Sequence, residues 1–310
     1  MISRSRNPIR RIRVLAVAVA ATTLLAGCGS SDDEASSETD TSATTSSVSL
    51  PVTPVTTTLV DPGAEPRTAV TRNISGEQSV RLTTRSTVTQ QIDDQAVQDF
   101  STPNLTVPLT ARASGASGDE VDLTIGVATS ADQRLTDQLA AADGSGAGLT
   151  VTDGGAVTAL SITPADAAQD AARAAIEQAL NQAVYRSISF PEEDLGIGAV
   201  WTAQQQVISG LTLNQTTTAT LRAREGDVLT IDLRIDQTPE STTLELPDDA
   251  GQLAIDNYTM SGTGTLRIDL TKPLPVWGEV TVGGSQQYSD TDGTTVLRQD
   301  ISDTLEWASE

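Results

Sequence analysis

The sequence predicts a mainly β domain with one long helix. This is an α+β fold in which a curved antiparallel sheet, or half-barrel, packs against that helix, with two related β halves flanking it. Strict two-residue alternation recurs along most of the chain. It is clearest where Leu229, Ile231, Leu233 and Ile235 alternate with Thr230, Asp232, Arg234 and Asp236. A helical period occurs in one long segment, 163–188, where Ala172, Ile176, Leu180 and Val184 recur every four residues as an apolar stripe. Thr163, Pro164 and Asp166 read as its start: a hydroxyl N-cap, proline at the first helical position and a carboxylate near a capping-box position. The alanines narrow the buried face, so the helix can lie close against a sheet.

Before that domain the chain carries Arg4, Arg6, Arg10, Arg11 and Arg13 with no acid, then an apolar run from Val14 to Leu25. The run is shorter than the roughly 20 residues a membrane-spanning helix needs. It ends in Leu25-Ala26-Gly27-Cys28. This basic region, short apolar core and pair of small residues before cysteine resemble a bacterial lipoprotein signal with its lipobox. The resemblance implies cleavage before Cys28, acylation of its thiol and new amine, and a home on the extracytoplasmic face of the bacterial cell membrane. Losing the five arginines takes the formal charge from −22 to −27. The membrane partner is therefore held by lipid, because so acidic a chain gains nothing from an anionic surface. From Gly29 to about Arg67 the composition of Ser, Thr, Asp, Glu and Pro predicts a disordered tether. The organisation expected is a signal peptide over 1–27, acylated cysteine and tether over 28–70, and a β-rich envelope domain over 71–308. That domain divides into a first β half (71–162), the helix (163–188) and a second β half (189–308).

In the first half Val80, Leu82, Thr84, Ser86 and Val88 share one face, 105–111 follows, and Val121, Leu123, Ile125 and Val127 alternate again. Asp153-Gly154-Gly155 reads as a hairpin turn between 149–152 and 157–162. After the helix come strands over 201–208 and 211–223, a turn at Glu225-Gly226-Asp227, and the strand 228–236. Leu266, Ile268 and Leu270 repeat the pattern until Pro273 and Pro275 stop it. Strands over 280–288 and 295–307 close the chain through Asp292-Gly293. Gln299 and Asp303 share a face with Leu297, Ile301, Leu305 and Trp307, which suggests a sheet edge or cavity mouth. Ala111-Arg112-Ala113 with its following turn and strand resembles Leu221-Arg222-Ala223 with its own, the basis for expecting related halves.

The run Phe190-Pro191-Glu192-Glu193 followed by Gly196-Ile197-Gly198-Ala199-Val200-Trp201 resembles an opening motif of uncharacterised actinobacterial-type envelope lipoproteins. Gly262-Thr263-Gly264, Asp269-Leu270 and Pro273-Leu274-Pro275 are similar to the same group. The likeness spans about residues 70–308 and implies no chemistry. A more distant architectural likeness is to lipid-carrier lipoproteins, which hold acyl chains between a curved sheet and helices.

Composition excludes much chemistry. With no histidine there is no imidazole base, no Ser-His-Asp triad and no histidine-bound metal. One cysteine allows no intrachain disulfide, and a formal charge of −22 argues against nucleic acid as a partner. Glu192, Glu193 and Asp194 read as a solvated acidic loop. Asp290-x-Asp292-Gly293 lacks the closing glutamate of a calcium loop, and Gly144-x-Gly146-x-Gly148 lacks the βαβ surroundings of a dinucleotide site. No cofactor, metal or catalytic residue is expected. Two functions compete: a module holding an apolar envelope ligand such as a lipid, and a structural or interaction lipoprotein with a closed core serving another envelope protein. In the first, Leu229, Ile231, Leu233 and Ile235 of the strand and Ile176, Leu180 and Val184 of the helix face the ligand. It expects an aliphatic cavity of several hundred Å³ between strand 228–236 and helix 164–187.

Overall fold

The computed structural model describes residues 47–115, 119–246, 251–290 and 292–310. The chain runs β1 (Val48–Pro51), β2 (Thr56–Asp61), β3 (Glu77–Ile92), β4 (Gln98–Asp99), β5 (Thr102–Ser114), β6 (Glu120–Ile125), β7 (Thr129–Ser130) and helix α1 (Gln133–Leu139). Then come β8 (Gly146–Val151), β9 (Val157–Thr163), helix α2 (Asp170–Tyr185), β10 (Val200–Ser209), β11 (Leu211–Glu225), β12 (Val228–Pro239) and β13 (Thr243–Glu245). The last four strands are β14 (Gln252–Tyr258), β15 (Ser261–Asp269), β16 (Trp277–Asp290) and β17 (Val296–Ser309).

Among the described residues all ladders are antiparallel, and they form one sheet. Its order is β1, β9, β8, β6, β5, β3, β17, β16, β15, β12, β11, β10, β2. β14 takes the far half of β16 and carries β13 on its other side. Among the described residues no ladder joins β1 to β2, so the sheet is open, its two edge strands linked by residues 52–55.

The expected fold class needs three corrections. Among the described residues there is no long helix: α2 has 16 residues, about 24 Å, and α1 is shorter still. Thr163, expected to cap the helix, is the last residue of β9 and pairs with Gly146. The chain then turns, with the Ala165 amide donating to Ser145 Oγ at 2.9 Å. Helical conformation starts only after Gln169, whose side chain makes no capping bond. The local start signal lost to an inter-strand ladder, which satisfies the same backbone groups.

Nor does the helix divide two β halves. β17 lies directly beside β3 from Leu297↔Ile92 to Ser309↔Val80, so the C-terminal strand sits in the middle of one continuous sheet. That placement also removes the sheet-edge reading of Gln299, which is buried and donates to Gln90 Oε1 at 3.0 Å. Finally, 48–61 lies within the stretch expected to be a tether yet supplies both edge strands, β1 on β9 and β2 on β10. Its β-branched residues gain ladder bonds that composition alone does not reveal. Among the described residues no helix is long and apolar enough to cross a membrane.

The core lies between the sheet and α2. Leu229, Ile231 and Ile235 are 0% exposed and Leu233 4%, in one cluster with Ala172, Ile176, Leu180 and Val184. α1, not anticipated, starts at Asp132, whose carboxylate accepts from the Arg134 amide at 2.8 Å, and buries Leu139.

Candidate functional site

The segment between α2 and β10 locks helix to sheet. The Phe190 amide donates to the Gly154 carbonyl at 2.7 Å, and its ring lies 5.8 Å from that of Trp201. Next, the Gly196 amide donates to the Pro62 carbonyl at 2.8 Å, and a Cβ on Gly196 would overlap the Ala64 carbonyl oxygen. Glycine is therefore required for a close backbone crossing there. The run 190–201 is thus a structural clasp. Glu192, Glu193 and Asp194 are exposed on its loop.

Beside this clasp, an apolar cavity of about 60 Å³ opens between α2 and the sheet. Leu180 and Val184 line it from the helix, Val157 and Ile268 from the sheet, and Pro273-Leu274-Pro275 forms a third wall. That wall is pinned by buried Gln78, which donates to the Leu274 carbonyl at 3.0 Å and accepts from its amide at 2.9 Å. The one charge in the lining is Arg72. Its Nη2 donates to the carbonyls of Lys272 at 3.1 Å and Pro273 at 2.8 Å, and burial lowers its pKa. Arg72 was not visible as a site residue because its partners lie 200 positions away.

Of the predicted ligand-facing residues, Leu180 and Val184 border the cavity. Ile176, Leu229, Ile231, Leu233 and Ile235 sit in the packed core and do not. The expected cavity of several hundred Å³ against strand 228–236 gives way to a far smaller one set against other strands. Cys28 lies outside the described residues.

No family model and no curated protein matches this chain.

The chemistry must therefore be read from the side chains. Asp290 is occupied as a turn residue, accepting from the Thr294 amide and hydroxyl, each at 2.7 Å, which holds its pKa down. Among the described residues no group of three carboxylate, thiol or imidazole side chains is placed to hold a metal ion. Burial pushes the Tyr288 hydroxyl up to about 12 and raises that of Tyr258 further, so both stay protonated at neutral pH and neither can serve as a base. What the interior offers is packing and hydrogen bonding. Gln205 and Gln215 both donate to the Tyr185 carbonyl, at 3.1 and 2.9 Å, tying the C-terminus of α2 to two strands.

Proposed function

We propose that this chain is a lipid-anchored protein of the bacterial cell envelope, related to the uncharacterised lipoproteins it resembles. Its β domain has a closed core and works through its surface, as an interaction module for another envelope component. The observation that carries this reading is the continuous burial of Leu229, Ile231, Leu233 and Ile235. That face, the best placed to receive an acyl chain, is filled by the protein itself. The cavity of about 60 Å³ beside α2 is well below the roughly 300 Å³ at which small-molecule pockets begin. The anchor rests on Cys28 and the basic and apolar run before it. With the anchor at Cys28 and the first strand at Val48, the intervening chain sets the domain off from the membrane, where its outer surface can meet a partner.

Native mass spectrometry of the chain extracted from bacterial membranes tests both parts. The expected spectrum shows covalent acyl mass at Cys28 and no non-covalent lipid. A stoichiometric bound lipid would overturn the closed-core reading, and the absence of acyl mass would overturn the anchor.

A further inference from the structure

A groove of about 610 Å³ runs across the outer face of the sheet where β12, β15, β16 and β17 lie side by side. Trp277 lines it, 54% exposed, the one aromatic among the exposed large hydrophobic side chains of the described residues. An indole left in water forgoes the burial that usually places tryptophan inside, as it does Trp201 and Trp307. Around it the groove is polar. Asp232 is fixed by Arg222 Nε at 2.5 Å and by the Thr265 hydroxyl at 2.8 Å. Glu306 receives Arg85 Nη2 at 3.0 Å, and Glu279 lies 3.9 Å from the same guanidinium.

These contacts decide the ligand's chemistry. Asp232 is held by Arg222 and Thr265 and Glu306 by Arg85, while Glu279 shares Arg85 only at 3.9 Å, so the groove carries two oriented, paired acceptors and a third, exposed carboxylate. A cation finds two of the three carboxylates already paired, and an anion meets carboxylates with no unpaired cation in the lining. A neutral ligand with many hydroxyls suits both features. Its O–H groups donate to Asp232, Glu279 and Glu306, and its C–H faces lie on the indole. The volume falls within the range of small-molecule sites.

We propose that this groove binds a neutral polysaccharide chain, with Trp277 as the stacking platform and Asp232, Glu279 and Glu306 as hydroxyl acceptors. This rests on the reading of the domain as one that works through its surface. The two fail separately, because a bound lipid is seen by mass and glycan binding by titration.

The test is titration of the purified full chain with maltohexaose, mannohexaose and chitohexaose, and with hexalysine as the charged comparison, followed by tryptophan fluorescence and calorimetry. At least one hexasaccharide is expected to bind, to perturb the fluorescence of the exposed indole, and to keep its affinity from about 50 to 500 mM salt, since no ion pair forms. Trp277→Ala should weaken it by about tenfold or more with an unchanged melting temperature, and Trp277→Phe should retain most of it. Glu279→Gln, which keeps an acceptor oxygen, should cost only a few-fold. Failure of all three sugars to bind, or binding that survives Trp277→Ala, overturns the proposal. So does salt-sensitive capture of hexalysine alone, which would make the groove a site for basic peptides.

Discussion

Trp201 donates its indole N–H to the Ser189 carbonyl at 2.8 Å, and both residues are buried. The bond joins β10 to the loop that leaves α2, so the helix is held against the sheet by a tryptophan it does not itself carry. Trp201→Phe keeps an aromatic ring but leaves the Ser189 carbonyl without this donor and opens a small void. The expected loss is about 2–4 kcal/mol, read from urea midpoints. A loss below about 0.5 kcal/mol would mean that the bond is replaced by water and the clasp is not where the helix is held.

Gly196 makes the other half of the clasp. Gly196→Ala sets a methyl group against the Ala64 carbonyl oxygen, and both partners are backbone, so neither can rotate away. Relief requires residues 62–68 to lift from 195–199, breaking the reciprocal Thr68–Leu195 backbone bonds at 3.0 and 3.1 Å. The expected cost is on the order of 3 kcal/mol, accompanied by faster amide exchange at Thr68 and Leu195. Unchanged exchange at both amides would show that the crossing is looser than the geometry requires.

Much of the sheet was legible because its signal is local. The alternation at 229–235 and the Asp153-Gly154-Gly155 turn depend on neighbours in sequence, and β12, β9 and the turn stand where the sequence puts them, while β8 starts at Gly146, three residues before the expected strand 149–152. What was not legible depends on distant partners. Thr163 carries a good helix-capping side chain, but Gly146 across the ladder claims its backbone. Val48 and Leu59 look like tether until β9 and β10 are placed beside them. Gln299 and Asp303 read as a sheet edge or cavity mouth because their partners, Gln90 and Arg186, lie on elements far away in sequence. The candidate site was least legible. Trp277 and Asp232 are 45 positions apart, and only the β12–β15–β16 pairing brings them to one groove.

Glu177 should give stability an unusual pH dependence. It sits on the apolar side of α2, its Oε1 is buried without a hydrogen bond, and Arg173 Nε is 3.7 Å away. Burial raises its pKa, and the pull of Arg173 in the opposite direction is smaller. A raised carboxyl pKa means that the folded state keeps a proton the unfolded chain has already lost. Stability therefore falls as pH rises from the ordinary glutamate value of about 4.3 through the folded value, and the penalty is complete above it. Glu177→Gln removes that charge. The variant is expected to be more stable than wild type at pH 7, and the difference should close near pH 4. A variant less stable at pH 7 would show that the Arg173 pair outweighs burial.

The last prediction concerns Arg186 and Asp303, which meet where the C-terminus of α2 faces β17. Arg186 is buried, with Nη2 at 4.0 Å from Asp303 Oδ2 and Nη1 without a hydrogen-bond partner. Burial lowers the arginine's pKa, and the carboxylate draws it partly back up. The two side chains are not equally enclosed: Arg186 is 8% exposed and Asp303 24%. That difference predicts an asymmetry. Asp303→Asn leaves a guanidinium in the interior with no counter-charge, at an expected cost of about 3 kcal/mol or more. Arg186→Met fills the same space with an apolar chain and leaves a carboxylate that water still reaches, so the loss should be about 1 kcal/mol or less. In the double variant Arg186→Met, Asp303→Asn the two costs should not add, because no buried charge remains to be orphaned. Urea midpoints for the four proteins close the cycle. Equal single losses that sum in the double variant would mean that the pair does not interact across its 4.0 Å separation, and that Arg186 is held by packing alone.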